Sequence, residues 1–121
     1  MANEVKKFGI VRIDADHRNM VDGIKEAIKF GYDIRSKSSL AVVKEIFEDH
    51  CTVEEHTMKR VKYPYYNLHV LSHTLAYNLL ISALENPNAI VLDLLLNDVI
   101  EHINNFDARL FEEIEDLGPF S

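Results

Sequence analysis

Histidines and carboxylates recur in this chain at spacings that suit metal binding. Two residues four apart on a helix lie about 40° apart around its axis, so both side chains can point at one ion. His50 and Glu54 form one such pair, and His69 and His73 form another. Imidazole and carboxylate groups are common ligands of divalent metal ions. The candidate ligands lie on four segments and predict a two-metal centre: His17, His50, Glu54, His69, His73, His102 and Asp107.

Other interpretations of these residues compete with a two-metal centre. A single histidine on an apolar helix face is usually a hydrogen-bonded core residue, and His17 alone would indicate nothing more. Burying so many polar groups without partners would cost on the order of several kcal/mol each, against a total stability of roughly 5 to 15 kcal/mol. Metal coordination offsets that cost. A hydrogen-bonded network without metal and a zinc site remain alternatives, although zinc normally takes fewer ligands than are present.

Length and composition favour one helical domain. The chain has 121 residues, of which 47% are hydrophobic, and it contains three prolines and four glycines. This length predicts a single domain, residues 1–121, and the composition is rich in helix formers. We therefore expect an all-α fold.

Charge and cysteine content limit the possible partners and compartment. The net charge of -7, without a compensating basic stripe, makes nucleic acid an improbable partner. The lone Cys51 cannot form an internal disulfide and is expected to be a small core residue. No stretch is long and apolar enough for a secretory leader or a membrane span. We expect a cytoplasmic protein without membrane contact.

Breaker residues divide the chain into four predicted helices. The breaks are the glycine- and serine-rich stretch from Gly31 to Ser39, the Tyr63-Pro64-Tyr65 stretch and the Asn86-Pro87-Asn88 stretch. Short connections make successive helices antiparallel, which predicts an up-down-up-down four-helix bundle. The predicted helices cover residues 14–31, 39–61, 66–85 and 89–115.

The apolar pattern decides which polar residues point inward. His102 and Asp107 are five residues apart, about 140° on an ideal helix, so spacing alone would favour Asp98 as the partner of His102. The apolar stripe of the fourth helix instead places Asp107 inside its arc, His102 at its edge and Asp98 toward solvent. His56 lies two positions past Glu54 and is expected at the surface without a role. The stripe consists of Leu92, Leu96, Val99, Ile103, Phe106, Leu110 and Ile114.

These residues form motifs that resemble the hemerythrin family, in particular its bacterial single-domain members. The resemblance spans nearly the whole chain. The motifs are Ile13-Asp14-Ala15-Asp16-His17, His50-x-x-x-Glu54-Glu55-x-x-Met58, Tyr63-Pro64, His69-x-x-x-His73 and His102-Ile103-x-x-x-Asp107.

The resemblance implies a non-haem centre of two iron ions (Fe2+/Fe3+) joined by an oxo or hydroxo bridge. One iron would be bound by His69, His73 and His102, and the other by His17 and His50. Glu54 and Asp107 would bridge the two irons. The open position of one iron would take dioxygen as its ligand, in a pocket to which Val99 and Ile103 contribute.

The function implied is reversible dioxygen binding, for transport, storage or scavenging, by a monomer or small homo-oligomer that is not an enzyme. The chain departs from the family pattern at Asp98, where tryptophan is common, and at Cys51, where phenylalanine is usual. A more polar surround would admit water or small solutes. The alternatives are an oxygen, redox or nitric-oxide sensor module and a di-iron peroxidase or oxidase.

Overall fold

The fold is all-α, as the composition predicts. The computed structural model describes residues 4–30 and 34–114, and these two stretches contain helices and connections but no strand. None of the described helices is both long and apolar enough to cross a lipid bilayer. The helices are α1 (Val11–Lys29), α2 (Ile34–Arg60), α3 (Tyr66–Glu85), α4 (Ala89–Glu101), a π-helical segment (His102–Asp107) and α5 (Ala108–Glu113).

Helix α1 begins at Val11, three residues before the predicted start at residue 14. The Asp14 carboxylate accepts hydrogen bonds from the backbone N–H groups of Phe8, at 2.8 Å, and Gly9, at 3.0 Å. Gly9 has a φ of 77°, a left-handed conformation that glycine adopts without strain. Asp14 therefore lies inside the first turn, where its charge also suits the positive end of the helix dipole.

Helix α2 begins at Ile34, so the prediction of a break up to Ser39 is wrong for residues 34–39. Serines in a cluster favour loops because their hydroxyls compete for backbone hydrogen bonds. Here the Ser36 hydroxyl is fully buried and donates to the carbonyl of Ala27 in α1, at 2.7 Å. This contact between helices overrides the local preference. Residues 31–33 of the predicted break lie outside the described residues.

The two later connections fall where the breaker residues predict them. Between α2 and α3 the backbone turns at Lys62, whose φ is 56°, and the Tyr63 N–H donates to the carbonyl of Met58 at 2.9 Å. Tyr63 is buried with Met58 and Leu110 in a small apolar cluster at this end of the molecule. At the start of α4 the Asn88 side chain accepts a hydrogen bond from the Val91 N–H at 3.0 Å, which caps the helix.

The four long helical segments pack around a common core in an arrangement compatible with a four-helix bundle. Helix α1 packs against α2 and α4, and α3 packs against the same two helices. Helices α1 and α2 lie close together at Gly23, where a Cβ atom would lie 2.4 Å from Cγ2 of Val43. The main apolar core includes Met20, Ile24, Leu40, Phe47, Leu80, Leu92, Leu95, Val99 and Ile103.

The fourth helical segment runs without interruption from α4 through the π-helical segment into α5. Glu101, His102 and Ala108, at its two junctions, all keep right-handed helical φ and ψ angles. The segment ends before Ile114, which is extended with φ -101° and ψ 144°. The prediction of a helix over 89–115 is therefore confirmed for 89–113 and wrong at Ile114, and it misses the change of helical type inside the segment; residue 115 lies outside the described residues.

Candidate metal centre

The π-helical segment brings His102 and Asp107 to the same side of the fourth helical segment. In a π-helix the hydrogen bonds run from residue i to residue i+5, so residues five apart lie one above the other. His102 and Asp107 are the first and last residues of this segment, and both are buried. The wider turn explains how both point inward, which an ideal α-helix would not allow.

Three histidines from α3 and the π-helical segment face one oxygen of each buried carboxylate. Nε2 of His69 and Nε2 of His73 each lie 2.8 Å from Oε1 of Glu54. Nε2 of His69 and Nε2 of His102 lie 3.0 and 2.9 Å from Oδ1 of Asp107. These five donor atoms lie close enough together to hold one metal ion.

Two histidines from α1 and α2 face the remaining oxygens of the same carboxylates. Nε2 of His50 lies 3.0 Å from Oε2 of Glu54 and 3.6 Å from Oδ2 of Asp107. Nε2 of His17 lies 3.0 Å from Oδ2 of Asp107. His17, His50 and Asp107 form a second group of donors that could hold a metal ion. Each carboxylate thus directs one oxygen to the group of three histidines and the other to the group of two.

All seven predicted ligands are buried together, and none exposes more than 5% of its surface. Three phenylalanine rings lie beside them. Phe8 packs edge-on against His17 with ring centroids 5.1 Å apart, and Phe106 stacks on His102 at 5.6 Å. Phe47 meets His73 at 6.3 Å. The surround is therefore apolar, and electrostatic interactions within the centre are strong because little solvent screens them.

Burial and the mutual repulsion of the carboxylates raise the pKa of Glu54, but the charge and hydrogen bonds of His50 and His69 outweigh them and hold that pKa below its usual range. Burial also raises the pKa of Asp107, and His102, His17 and His50 bring it well below the usual range. The same contacts raise the pKa of His69 to about 9, although burial alone would lower it. Without metal, both carboxylates are therefore ionised and the His69 imidazole is protonated at neutral pH.

The donor set fits metal ions better than it fits a closed hydrogen-bond network. Five imidazoles compete for four carboxylate oxygens in this cluster. Glu54 Oε2 and His102 Nε2 lie near partners yet make no hydrogen bond among the described residues. Donors that share one ion with bonds of about 2.0 to 2.2 Å lie roughly 3 Å apart, as these do. The centre could therefore hold metal ions, and imidazole with carboxylate suits several transition metals.

Two further side chains contact the Nδ1 atoms of predicted ligand histidines, on the side of the ring away from the centre. Glu55 accepts a hydrogen bond from Nδ1 of His73, at 2.8 Å. Ser72 lies 2.5 Å from Nδ1 of His102 through its hydroxyl oxygen. Partners of this kind fix the ring orientation and the position of its proton, and a carboxylate partner also raises the basicity of the ligand.

Asp16 is a third such partner, with Oδ2 3.3 Å from Nδ1 of His50. None of these three residues was predicted to have a role, although Asp16 and Glu55 belong to the motifs and a simple signal marks all three. Each directly precedes or follows a ligand in the chain: Asp16 precedes His17, Glu55 follows Glu54 and Ser72 precedes His73. A residue next to a ligand points about 100° away around the helix, toward the ligand of a neighbouring helix.

The remaining predicted residues have mixed outcomes. Val99 and Ile103 are buried in the main apolar core on the same helical segment as His102, and their contribution to a dioxygen pocket stays a prediction. His56 is exposed, as predicted. Cys51 is buried, and burial raises the pKa of its thiol well above the usual range.

The prediction that Asp98 faces solvent is wrong. Asp98 is half-buried, and its Oδ2 atom has no hydrogen-bond partner among the described residues. Burial raises the pKa of Asp98 above its usual value, opposed by the charge of His102 and assisted by that of Glu101. Asp98 lies one helical turn before His102, so it places a carboxylate near the edge of the centre.

No family model, curated protein or solved structure matches this chain.

Proposed function

We propose that this protein is a hemerythrin-like, non-haem di-iron protein that binds dioxygen reversibly, as a carrier, store or scavenger. The observation that carries the proposal is the division of the two carboxylates. Glu54 and Asp107 each direct one oxygen to the group of three histidines and the other oxygen to the group of two. That arrangement suits two ions bridged by both carboxylates. The proposal includes an up-down-up-down antiparallel bundle as the scaffold.

The two groups would hold their ions unequally. His69, His73 and His102 with Glu54 Oε1 and Asp107 Oδ1 provide five donors to one ion. His17, His50 and Asp107 Oδ2 provide three donors to the other ion, and Glu54 Oε2, 3.0 Å from Nε2 of His50, would be its fourth ligand. This ion would then have one protein ligand fewer and a position for an external ligand. When bound, two ferrous irons would supply the electrons, and a hydroxo bridge between them the proton, needed for reversible dioxygen binding.

The chain's own residues supply the conditions for reversible binding. Two carboxylates against two divalent ions leave the centre net positive, which disfavours loss of further electrons to dioxygen. Phe8 beside His17 and Phe106 beside His102 limit the access of water to the ligands from those two sides. Glu55 holds the proton of His73 on Nδ1, which leaves Nε2 free to bind the metal.

Iron content and visible spectra test this proposal. The chain is reduced without oxygen, its iron is counted, and spectra are recorded in air and again after oxygen is removed. About two irons per chain and a colour that appears and disappears with oxygen are expected. Iron that oxidises irreversibly would contradict reversible binding but keep a redox centre, and a chain that binds no iron would contradict the proposal altogether.

A di-iron peroxidase is the second candidate, because a cleft gives small solutes access to the ligands. The cleft has a volume of about 270 Å³ and reaches His73 and Cys51 between α2 and α3. A hydrophilic oxidant such as hydrogen peroxide could approach the centre by this route. Sustained turnover of peroxide with an electron donor, faster than its reaction with the metal-free chain, would favour the peroxidase over the oxygen carrier.

A further inference from the structure

A small pocket lies behind the group of three histidines, on the side away from the carboxylates. Its volume is about 130 Å³, and it opens between the connection before α3 and the fourth helical segment. An engineered protein cavity of about 150 Å³ binds benzene, so this pocket has room for a body of similar size. The side chains that matter for binding are Tyr63, Tyr65, Leu68, His69, Phe106 and Arg109.

His69 gives this pocket a buried polar group without a partner. Its Nε2 atom faces Glu54 and Asp107, so Nδ1 is the nitrogen left on the pocket side. Only 1% of His69 is exposed, and Nδ1 has no hydrogen-bond partner among the described residues. His73 and His102, by contrast, have Glu55 and Ser72 as partners of Nδ1.

The rest of the pocket indicates the kind of molecule that would meet this nitrogen. Leu68 and Phe106 provide apolar walls, and the Phe106 ring packs edge-on against His69 with centroids 5.7 Å apart. The Arg109 guanidinium lies 3.7 Å above the centroid of the Tyr65 ring, at the rim. Arg109 is the one charged side chain in the described lining, apart from His69 when protonated. An apolar body with one anionic acceptor matches these walls.

We propose that this pocket binds a small organic carboxylate, with an apolar body no larger than a benzene ring, whose oxygen accepts a hydrogen bond from Nδ1 of His69. The apolar body lies between Leu68 and Phe106, and Arg109 attracts the anion at the rim. A hydrogen bond between a carboxylate and an imidazole N–H is stronger than one between neutral groups. The bound carboxylate thus acts on His69 as Glu55 acts on His73.

Binding of the carboxylate would alter the centre only if His69 holds a metal, so this second effect rests on the proposed function. A metal-bound histidine carries its proton on the other nitrogen, and an acceptor at that nitrogen makes the ring a stronger donor to the metal. The bound carboxylate would therefore strengthen metal binding through its contact with His69, although it does not contact the metal. Binding in the pocket does not require the metal.

Benzoate is the probe that tests the proposal, with the full chain in both metal-free and iron-loaded forms at pH 6. Binding is followed by calorimetry and by the 15N and 1H NMR signals of the histidine rings. We expect saturable binding in both forms and a shift of the His69 Nδ1 signal. Toluene, which has the same ring but no acceptor, should bind at least about tenfold more weakly, because it leaves the N–H group unsatisfied.

Two tryptophan variants locate the site. Leu68→Trp fills the pocket and should weaken benzoate binding at least about tenfold. Leu71→Trp, on an exposed leucine of the same helix outside the pocket lining, is the matched control and should leave binding unchanged. Both positions are more than half exposed, at 59% and 54%, so neither substitution disturbs the core.

The outcomes separate this proposal from the proposed function. Benzoate binding that Leu68→Trp does not weaken, or no binding in either form, would overturn the pocket and leave the di-iron function intact. Binding only to the iron-loaded chain, unaffected by Leu68→Trp, would place the anion on the metal and also overturn the pocket. Benzoate binding to a chain that takes up no iron would support the pocket while the proposed function failed.

Discussion

The Glu55 carboxylate accepts a hydrogen bond from Nδ1 of His73 at 2.8 Å, and Nε2 of the same ring lies 2.8 Å from Glu54. Two neighbouring carboxylates of α2 therefore hold a single imidazole of α3 from its two sides. The inner carboxylate is completely buried, whereas the side chain of Glu55 is about one-third exposed. Glu55 can thus change the ligand without entering the centre, and substitutions at this position affect the metal indirectly.

Glu55→Gln is expected to weaken metal binding about tenfold, and Glu55→Ala by more, up to about a hundredfold. Glutamine still accepts the hydrogen bond but lacks the charge that raises the basicity of His73. The measurement is competition for Fe2+ or Co2+ with a chromophoric chelator. Glu45→Gln, at an exposed position of the same helix, is the control and should leave affinity unchanged. Equal affinity in Glu55→Ala and the native chain would show that Glu55 does not act on the ligand.

His73→Ala is expected to reduce the iron content from about two ions per chain to one or fewer, and to remove much of the visible absorbance of a bridged pair. The substitution removes one of the three histidines that face Glu54 Oε1 and Asp107 Oδ1. His56→Ala changes an exposed histidine two positions past Glu54 and should retain both ions. Retention of two irons in His73→Ala would be incompatible with the assigned ligands.

Deletion of Asn105 tests the π-helical segment. Removing one residue between His102 and Asp107 leaves them four apart, about 40° on an ordinary α-helix, so both side chains can still point at one centre. The π-helical segment acts as a one-residue insertion, and its removal keeps the direction of the residues that follow. We expect far-UV circular dichroism to stay helical and metal binding to be retained.

Asn105→Ala is the control for the deletion. The Asn105 side chain is exposed and donates to the carbonyl of Glu101, within its own helical segment. Its truncation should change helix stability by no more than about 1 kcal/mol and leave the metal content unchanged. If the deletion variant lost its metal while Asn105→Ala kept it, the wider π-helical turn itself would be required for the centre.

The stability of the metal-free chain should depend on pH in a defined direction. Histidines whose folded pKa is raised, such as His69 from 6.5 to about 9, stabilise the fold fully below pH 6.5, and this contribution disappears as the pH rises through 9. Glu54 and Asp107 have lowered pKa values, so their contribution is present above their usual values and disappears as the pH falls through the folded ones. Urea unfolding should show highest stability between about pH 5 and 6.5.

Bound metal should reverse the dependence of stability on pH above about pH 6.5. The imidazoles must lose protons to bind metal, so uptake at pH 7 should release protons and strengthen as the pH rises. Calorimetry in two buffers of different ionisation enthalpy gives the number of protons released. A metal-free chain that became more stable from pH 6.5 to 9, or metal uptake without proton release, would contradict the contacts among these side chains.

The ligand positions were predictable because the helical period determines which spacings in the sequence place side chains on one face. His50 with Glu54, and His69 with His73, lie four apart on helices whose apolar stripes fix the inward direction. Asp107 was predicted from the apolar stripe alone, against the preference of ideal spacing for Asp98. The helices α3 and α4 also begin where the prolines and asparagines indicate.

The remaining features depend on contacts that spacing does not encode. The early start of α2 depends on a hydrogen bond from Ser36 to Ala27, a residue of a different helix. Asp98 is half-buried, although the apolar stripe of its own helix predicts that it faces solvent. No hydrophobic periodicity in the sequence predicts the π-helical segment. The one indication of it is that His102 and Asp107, five residues apart, must both face the same centre.

Asp107 has a consequence for the order of events during synthesis. Both groups of donors include this residue, and it belongs to the last helical stretch that the structure describes. A chain emerging from the ribosome at about 5 to 20 residues per second exposes His17 several seconds before Asp107. Until then neither metal position has its complete set of ligands. Any metal uptake would therefore follow the synthesis of Asp107, and a nascent chain that stops before this residue would lack a complete centre.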